Sequence, residues 1–282
     1  MQIDRYVSER RKKQKKRRIY IFAIIFFLAV YFVFLGVFML FVRLPAFQAE
    51  KITIQGNSVV SSTNVMNLLE AVMINKGYVL NGQKNGWSAM LGFNNMLIWP
   101  AALPSSTVAT IPQLAGITIA KNYFLHTITV TVTERQPFAI WCTMPDDACV
   151  WFDNQGIAFE PTLDTQGGAI IVVHDYTAVN GQRPQQKIAL DEPVLPEEFL
   201  PNLISIVTVL QQSGVSVQDV ALNDLSQQEI DVTTTAGAKL YFSLRFPSNE
   251  DLGVLQSLMA KPGGLSKLQY IDFTVENRAY YK

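Results

Sequence analysis

The stretch from Ile19 to Val42 restricts most strongly what this chain can fold into. It holds twenty-four residues with no charge and no proline. As a helix rising ~1.5 Å per residue it would be ~36 Å long, enough to cross a ~30 Å hydrocarbon core with some tilt. A helix satisfies its own backbone hydrogen bonds, as a segment in lipid must. The sequence therefore predicts a transmembrane helix at residues 19–42.

The residues before this helix are strongly basic. Residues 1–18 carry nine Lys or Arg against two acids, Asp4 and Glu9. This asymmetry predicts that residues 1–18 are a cytoplasmic tail and that the C-terminal part lies across the membrane. A cleaved signal peptide is the alternative, but its apolar region would span only ~7–15 residues. Nucleic-acid binding by the basic run is a weaker alternative, since topology and anionic lipid headgroups already account for it.

The exported part differs in charge from the tail. The chain has 23 basic and 23 acidic residues; with nine and two of them in residues 1–18, the remainder holds 14 and 21, a net charge of about −7. An acidic surface is unsuited to phosphate backbones, so we expect no nucleic-acid partner. The remainder is long enough for two domains.

The two cysteines, Cys142 and Cys149, flank Pro145-Asp146-Asp147 in WCTMPDDACVW. Pro-Asp-Asp between apolar runs is typical of a hairpin turn, which places the two cysteines on facing strands. Outside the cytoplasm a disulfide between them is allowed. Two sulfurs alone make no metal site, and neither His126 nor His174 stands at ligand spacing from them, so we expect no metal.

Residues 46–134 read as strand, helix, helix, strand, strand. Ile52 and Ile54 alternate with polar residues before Gly56-Asn57, and Ser61 or Ser62 caps a helix with apolar residues at helical spacing. Residues 75–95 are expected to be a loop, and a second helix is expected within residues 105–114, where Pro112 must end or kink it. Two strands follow, the second carrying alternating Val, Ile and Thr at residues 128–133.

Four segments taken in order resemble one protein family. They are ITIQGNSVVS, TVTERQPFAIW, WFDNQGIAF and YIDFTVENRAYYK, all following a single membrane span with its N-terminus inside. This set is similar to the FtsQ/DivIB family of bacterial cell-division proteins, over residues 19–282. The chain departs from the family pattern at Lys121-Asn122-Tyr123, where members often carry Arg or Lys with Pro, and in the length of the 75–95 loop.

The resemblance implies a fold and a role. The fold would be one transmembrane helix followed by α+β structure: a POTRA domain (β-α-α-β-β) at residues 46–134 and a mainly antiparallel FtsQ-type β-domain at residues 135–282. The role would be a non-enzymatic divisome scaffold at the septum. It would link early division proteins to FtsB/DivIC-like and FtsL-like partners, and so to septal peptidoglycan synthesis.

The β-domain region alternates short strands with two helices. Strands are expected at residues 138–142, 149–152, 157–159, 170–173, 220–222, 229–233 and 239–244, and a closing hairpin at residues 270–275 and 278–281. One helix should start near Pro196 or Pro201 and stop at Gly214. The other should start at Ser248, with Glu250 and Asp251 in its first turn.

No catalytic constellation is present among the sequence motifs. There is no G-x-S-x-G, S-x-x-K, HExxH or P-loop pattern, and Asp146-Asp147 and Glu197-Glu198 stand where acids are structurally favoured. We therefore expect neither an enzyme, a cofactor nor a small-molecule substrate. The alternatives are a membrane-anchored POTRA-type envelope binding or translocation protein and, more weakly, an envelope hydrolase.

The terminal strand is the predicted binding surface. We expect no further element to cover Arg278, Ala279, Tyr280, Tyr281 and Lys282, so the strand would lie at a sheet edge and accept a partner strand by β-augmentation. The two tyrosines are residues enriched in interfaces. In FtsQ-like proteins the last strand receives a segment of the FtsB/DivIC partner, which agrees. The alternative is that Arg and Lys on this edge prevent strand pairing and the tyrosines merely pack. For Asp272, in the neighbouring strand, the two interpretations are a structural carboxylate and a contact with a partner.

Overall fold

The computed structural model describes residues 2–76, 91–146, 148–164, 170–181 and 188–282. Most of the predicted 75–95 loop, and Asp147 of the predicted turn, lie outside these residues. The described helices are α1 (Gln2–Val42), α2 (Ser62–Glu70), α3 (Ser105–Val108), α4 (Leu200–Ser213) and α5 (Asp251–Met259). A π-helical stretch covers Ala71–Lys76, and 3₁₀ turns cover Pro45–Phe47, Met96–Ile98 and Gly264–Lys267.

The described strands number twelve and belong to two sheets. They are β1 (Lys51–Gln55), β2 (Leu114–Asn122), β3 (Thr127–Glu134), β4 (Ala139–Thr143), β5 (Ala148–Phe152), β6 (Ala158–Thr162), β7 (Val172–Asp175), β8 (Val217–Leu222), β9 (Glu229–Thr234), β10 (Lys239–Ser243), β11 (Tyr270–Val275) and β12 (Arg278–Tyr281).

Helix α1 joins the basic tail to the apolar segment without a break. Its part from Lys16 to Val42 holds 27 residues with a mean hydropathy of 2.9. By length and composition, this one helix among the described residues can cross a membrane. The coarse prediction of one N-terminal apolar helix long enough to span a membrane, followed by α+β structure, is therefore confirmed.

The chain divides into two compact units. The first comprises Met1–Leu103 and Ile117–Val132, and the second comprises Pro104–Gly116 and Thr133–Lys282. The domain limits at 46–134 and 135–282 remain predictions.

The first unit contains a three-stranded sheet in the order β1-β3-β2. Strand β1 runs parallel to β3, with Lys51 opposite Thr127 and Gln55 opposite Thr131. Gly56 ends β1 at φ +85°, and a Cβ there would collide with the carbonyl oxygen of Val132. Ser61 caps α2 by accepting a hydrogen bond from the Asn64 backbone N–H, and Val65 and Leu69 are buried.

Two of the predicted helices start or end differently in the structure. The helix expected within residues 105–114 is only the single turn α3, because Pro112 has no N–H to continue it. The helix expected to start at Ser248 begins at Asp251. Ser248 is buried, and its N–H donates to the Ser205 hydroxyl at 2.9 Å instead of opening the helix.

The second unit is built on a nine-stranded sheet in the order β12-β11-β10-β9-β8-β7-β4-β5-β6. Pairs β10/β11, β4/β7 and β7/β8 are parallel, and the other five are antiparallel. One large apolar cluster joins the sheet to α4 and α5, with Trp141, Phe242 and Phe273 among its fully buried side chains. A small second cluster holds Ile140, Cys142, Cys149 and Val172.

The two edges of this sheet differ. At one edge, residues 191–194 cover the start of β6, where Ala158 donates its N–H to Glu192 and accepts from Asp191. Pro161 further along β6 has no N–H to offer to another strand. At the other edge stands β12, which contains no proline.

Candidate partner-binding edge

Strand β12 is placed at the sheet edge by the hairpin that it forms with β11. The turn is Glu276-Asn277, with Asn277 in the left-handed region at φ 58°. The ladder pairs Ile271 with Tyr281 and Asp272 with Tyr280. Among the described strands, β11 is the one neighbour of β12. The five residues predicted as a binding surface thus lie together along one edge.

The backbone of β12 presents hydrogen-bonding groups on its outer side. Lys282 donates its N–H to the Tyr270 carbonyl and accepts at 2.6 Å from the Gln269 N–H, so its peptide groups face β11. Backbone direction alternates along a strand, which turns the N–H and C=O groups of Ala279 and Tyr281 away from β11. These outward groups are the ones that a partner strand would pair with.

Strand β12 has one side chain that packs against the apolar core and two exposed aromatic side chains. Ala279 is half-buried against the large cluster, whereas Tyr280 and Tyr281 are 47% and 51% exposed. The Lys261 ammonium lies 5.1 Å from the centre of the Tyr281 ring and holds it by a cation–π contact. The strand is therefore held to the core through Ala279, while the two amphipathic tyrosine side chains remain exposed to solvent.

Arg278 and Tyr280 also contact each other. The Arg278 guanidinium donates to the Tyr280 hydroxyl at 3.5 Å, and this hydrogen bond raises the pKa of Arg278. The guanidinium is exposed and stays charged at every physiological pH. It can form an ion pair with a carboxylate of a partner.

Asp272 has a structural role in the described structure. Its Oδ1 accepts from the Thr274 N–H at 2.8 Å and from the Thr274 hydroxyl at 2.6 Å. These bonds stand where β11 carries one extra residue relative to β12, between Asp272 and Val275. The carboxylate shapes this bulge, which favours the structural alternative for Asp272.

An acidic cleft opens beside the hairpin turn. It has a volume of about 180 Å³, and its lining includes Glu250, Asp251 and Glu276. Burial raises the pKa of Asp251 to about 6. Sequence reasoning did not indicate this cleft, because Glu276 lies 25 residues beyond Asp251 and only the fold brings them together.

The cysteine pair lies far from this edge in strand order. Cys142 and Cys149 stand opposite each other on β4 and β5 and are joined by a disulfide. Strand pairing also places His174 beside Cys142, a proximity that sequence spacing did not indicate. Cys142, His174 and Asp164 are the described residues whose ligand atoms lie close enough for a metal, but the sulfur is already bonded to Cys149 and is not a free thiolate.

His174 lies between two carboxylates. Its Nδ1 lies 2.6 Å from Oδ1 of Asp219, and its Nε2 lies 3.8 Å from Oδ2 of Asp164. This polar group sits on the face of the sheet that carries the disulfide cluster.

Comparison of the chain with protein-family models found no match, and a search of curated proteins found none either.

Proposed function

We propose that this chain is a non-enzymatic, membrane-anchored scaffold of the bacterial division machinery, of the FtsQ/DivIB type. It would hold its N-terminal tail in the cytoplasm and the residues after α1 outside, and would recruit FtsB/DivIC-like and FtsL-like proteins at the septum. The single observation that carries the proposal is the outer edge of β12, which pairs with no other described strand and has outward peptide groups at Ala279 and Tyr281 and two exposed tyrosines.

The first unit is compatible with a POTRA domain. Strand β1, helix α2 and strands β2 and β3 follow in the expected order, and β1 lies parallel to β3, the middle strand of the sheet. The second expected helix is only the single turn α3, which belongs to the second unit. A POTRA module after a single spanning helix would support assignment to the division family.

The binding mode would be addition of one strand from the partner to β12. Main-chain hydrogen bonds to Ala279 and Tyr281 would supply affinity, and the tyrosine rings would supply specificity. The acidic cleft beside the turn favours a partner segment with a basic residue near one end of its strand.

The test of the role is fluorescent localisation of the full-length protein in dividing cells. We expect a midcell band. Uniform labelling of the envelope throughout the division cycle would contradict the division role.

The binding mode is tested by measuring how tightly the Tyr281→Pro variant captures the organism's FtsB-like protein, compared with the parent protein. Proline removes an outward N–H together with the Tyr281 ring, while the bonds of Lys282 to β11 remain, and edge positions tolerate proline. Tyr281→Ala removes the ring and keeps the N–H, so the difference between the two variants reports the main-chain bond. We expect affinity to fall by about 2 kcal/mol, roughly thirty-fold. Leu163→Pro is the matched control, since Leu163 is 81% exposed next to β6 at the opposite edge. Equal capture by Tyr281→Pro and Leu163→Pro would contradict strand addition at β12.

A further inference from the structure

Three consecutive apolar side chains form the turn between β2 and β3. Tyr123, Phe124 and Leu125, here called the hairpin tip, are 39%, 98% and 68% exposed. A turn in water normally carries polar residues. An almost completely exposed phenylalanine beside an exposed leucine therefore indicates a surface that meets an apolar phase.

The hairpin tip lies next to the end of the membrane helix within the first unit. The Phe41 ring, in the last turn of α1, is 5.3 Å from the Phe47 ring, and Phe47 is 6.2 Å from the Tyr123 ring. This row of aromatic rings leads from the helix to the tip.

Hydrogen bonds fix the helix end to the same region. The buried Asn95 amide donates to the Val42 carbonyl at 2.8 Å, and Glu50 donates its N–H to the His126 carbonyl at 2.8 Å. The tip is thus held beside the helix terminus, where the bilayer that α1 can cross would have its outer boundary.

The backbone of the tip is prepared for a place with little water. Oδ1 of Asn122 accepts hydrogen bonds from the N–H groups of Phe124, at 3.1 Å, and Leu125, at 3.0 Å. Donors that are satisfied internally do not lose water bonds when the tip enters an interface.

We propose that the hairpin tip inserts into the boundary between headgroups and acyl chains of the membrane that α1 crosses. Aromatic side chains prefer this depth, and the tip would give the first unit a second attachment beside the helix. The proposal requires that α1 spans a membrane, but it does not rest on the division role.

The test uses full-length protein in phosphatidylglycerol/phosphatidylethanolamine nanodiscs. Leu125→Cys provides a thiol for an environment-sensitive fluorophore, because both native cysteines are in a disulfide. We expect blue-shifted emission and loss of most of the fluorescence with lipids brominated near the headgroup. Val59→Cys is the matched control: it is 74% exposed and follows β1, at the opposite end of the small sheet. It should show neither change.

A second variant tests whether Phe124 drives insertion. Adding Phe124→Asp to the labelled Leu125→Cys protein should abolish the quenching, and since Phe124 is exposed the thermal unfolding temperature should not change. Equal quenching at positions 125 and 59 would overturn the proposal. So would an unquenched label at position 125, which would assign the tip to a protein partner instead.

Discussion

Arg135 is a buried cation that joins three separate segments of the second unit. Its two terminal nitrogens contact Asp153 at 2.6 Å and Asp191 at 2.8 Å, and its Nε donates to the Pro112 carbonyl. The guanidinium side chain is 11% exposed and the Asp153 side chain is 6% exposed. A charge at this depth is tolerated only because its partners are in place.

Replacing this arginine should therefore destabilise the protein strongly. Arg135→Ala leaves two carboxylates without their cation, and we expect the free energy of unfolding to fall by about 3–5 kcal/mol. Chemical denaturation of the full chain in detergent, followed by tryptophan fluorescence, measures this. Arg278→Ala removes an exposed guanidinium and should leave the denaturation midpoint nearly unchanged. Similar losses in the two variants would contradict the buried-network interpretation.

Asp251 makes stability depend on pH in an unusual direction. Its place at the start of α5 favours the carboxylate, but burial outweighs this and raises its pKa from 3.8 to about 6. Between these values the folded state holds a proton that the unfolded state has released. The contribution of Asp251 to stability is therefore full below about pH 4 and is lost as the pH rises through about 6.

Asp251→Asn should remove this loss. We expect the variant to gain stability relative to the parent protein between pH 4 and pH 7, measured as the difference in denaturation midpoints across that range. Glu250→Gln removes an exposed neighbouring charge that also raises the pKa of Asp251, so the loss of stability should move to lower pH without disappearing. A variant difference that is flat with pH would show that Asp251 keeps an ordinary pKa.

A disulfide bond cross-links the hairpin formed by β4 and β5. The disulfide joins Cys142 and Cys149 across seven positions of sequence. On the chain-entropy model, closing so short a loop stabilises by about 2–3 kcal/mol. Replacing both cysteines by alanine should lower the free energy of unfolding by about this amount. A dithiol reductant should lower the stability of the parent to a similar degree and leave the double variant unaffected; a reductant effect on the double variant would contradict this origin.

Elements differ in how far the sequence determines them. The closing hairpin at residues 270–275 and 278–281 was predicted residue for residue, because Glu276-Asn277 provides a turn between two runs of strand-forming residues. The helix expected in residues 105–114 is one turn long, because Pro112 has no N–H to continue it. The contacts of Arg135 with Asp153 and Asp191, 18 and 56 positions away, follow only from the folded sheet.

At the scale of the whole molecule, the charge asymmetry of the tail predicts its orientation. Nine basic residues precede the apolar segment, and such segments keep basic flanks in the cytoplasm. Alkaline phosphatase fused after Lys282 should be active. A fluorescent protein that becomes fluorescent only in the cytoplasm should show no fluorescence at the same position. The same two reporters fused at the N-terminus should give the reverse pattern. An inactive phosphatase fusion would place the residues after α1 in the cytoplasm.

The unequal edges of the large sheet also bear on self-association. Copies that join head to tail through sheet edges build open fibres, whereas copies that join through one shared edge form a closed pair. Pro161 and the segment over Ala158 block the β6 edge, so β12 is the edge that remains for strand pairing. Among the described residues β12 is thus the one edge of this sheet open to strand pairing, and we expect copies that join through it to form a closed pair and no longer assembly.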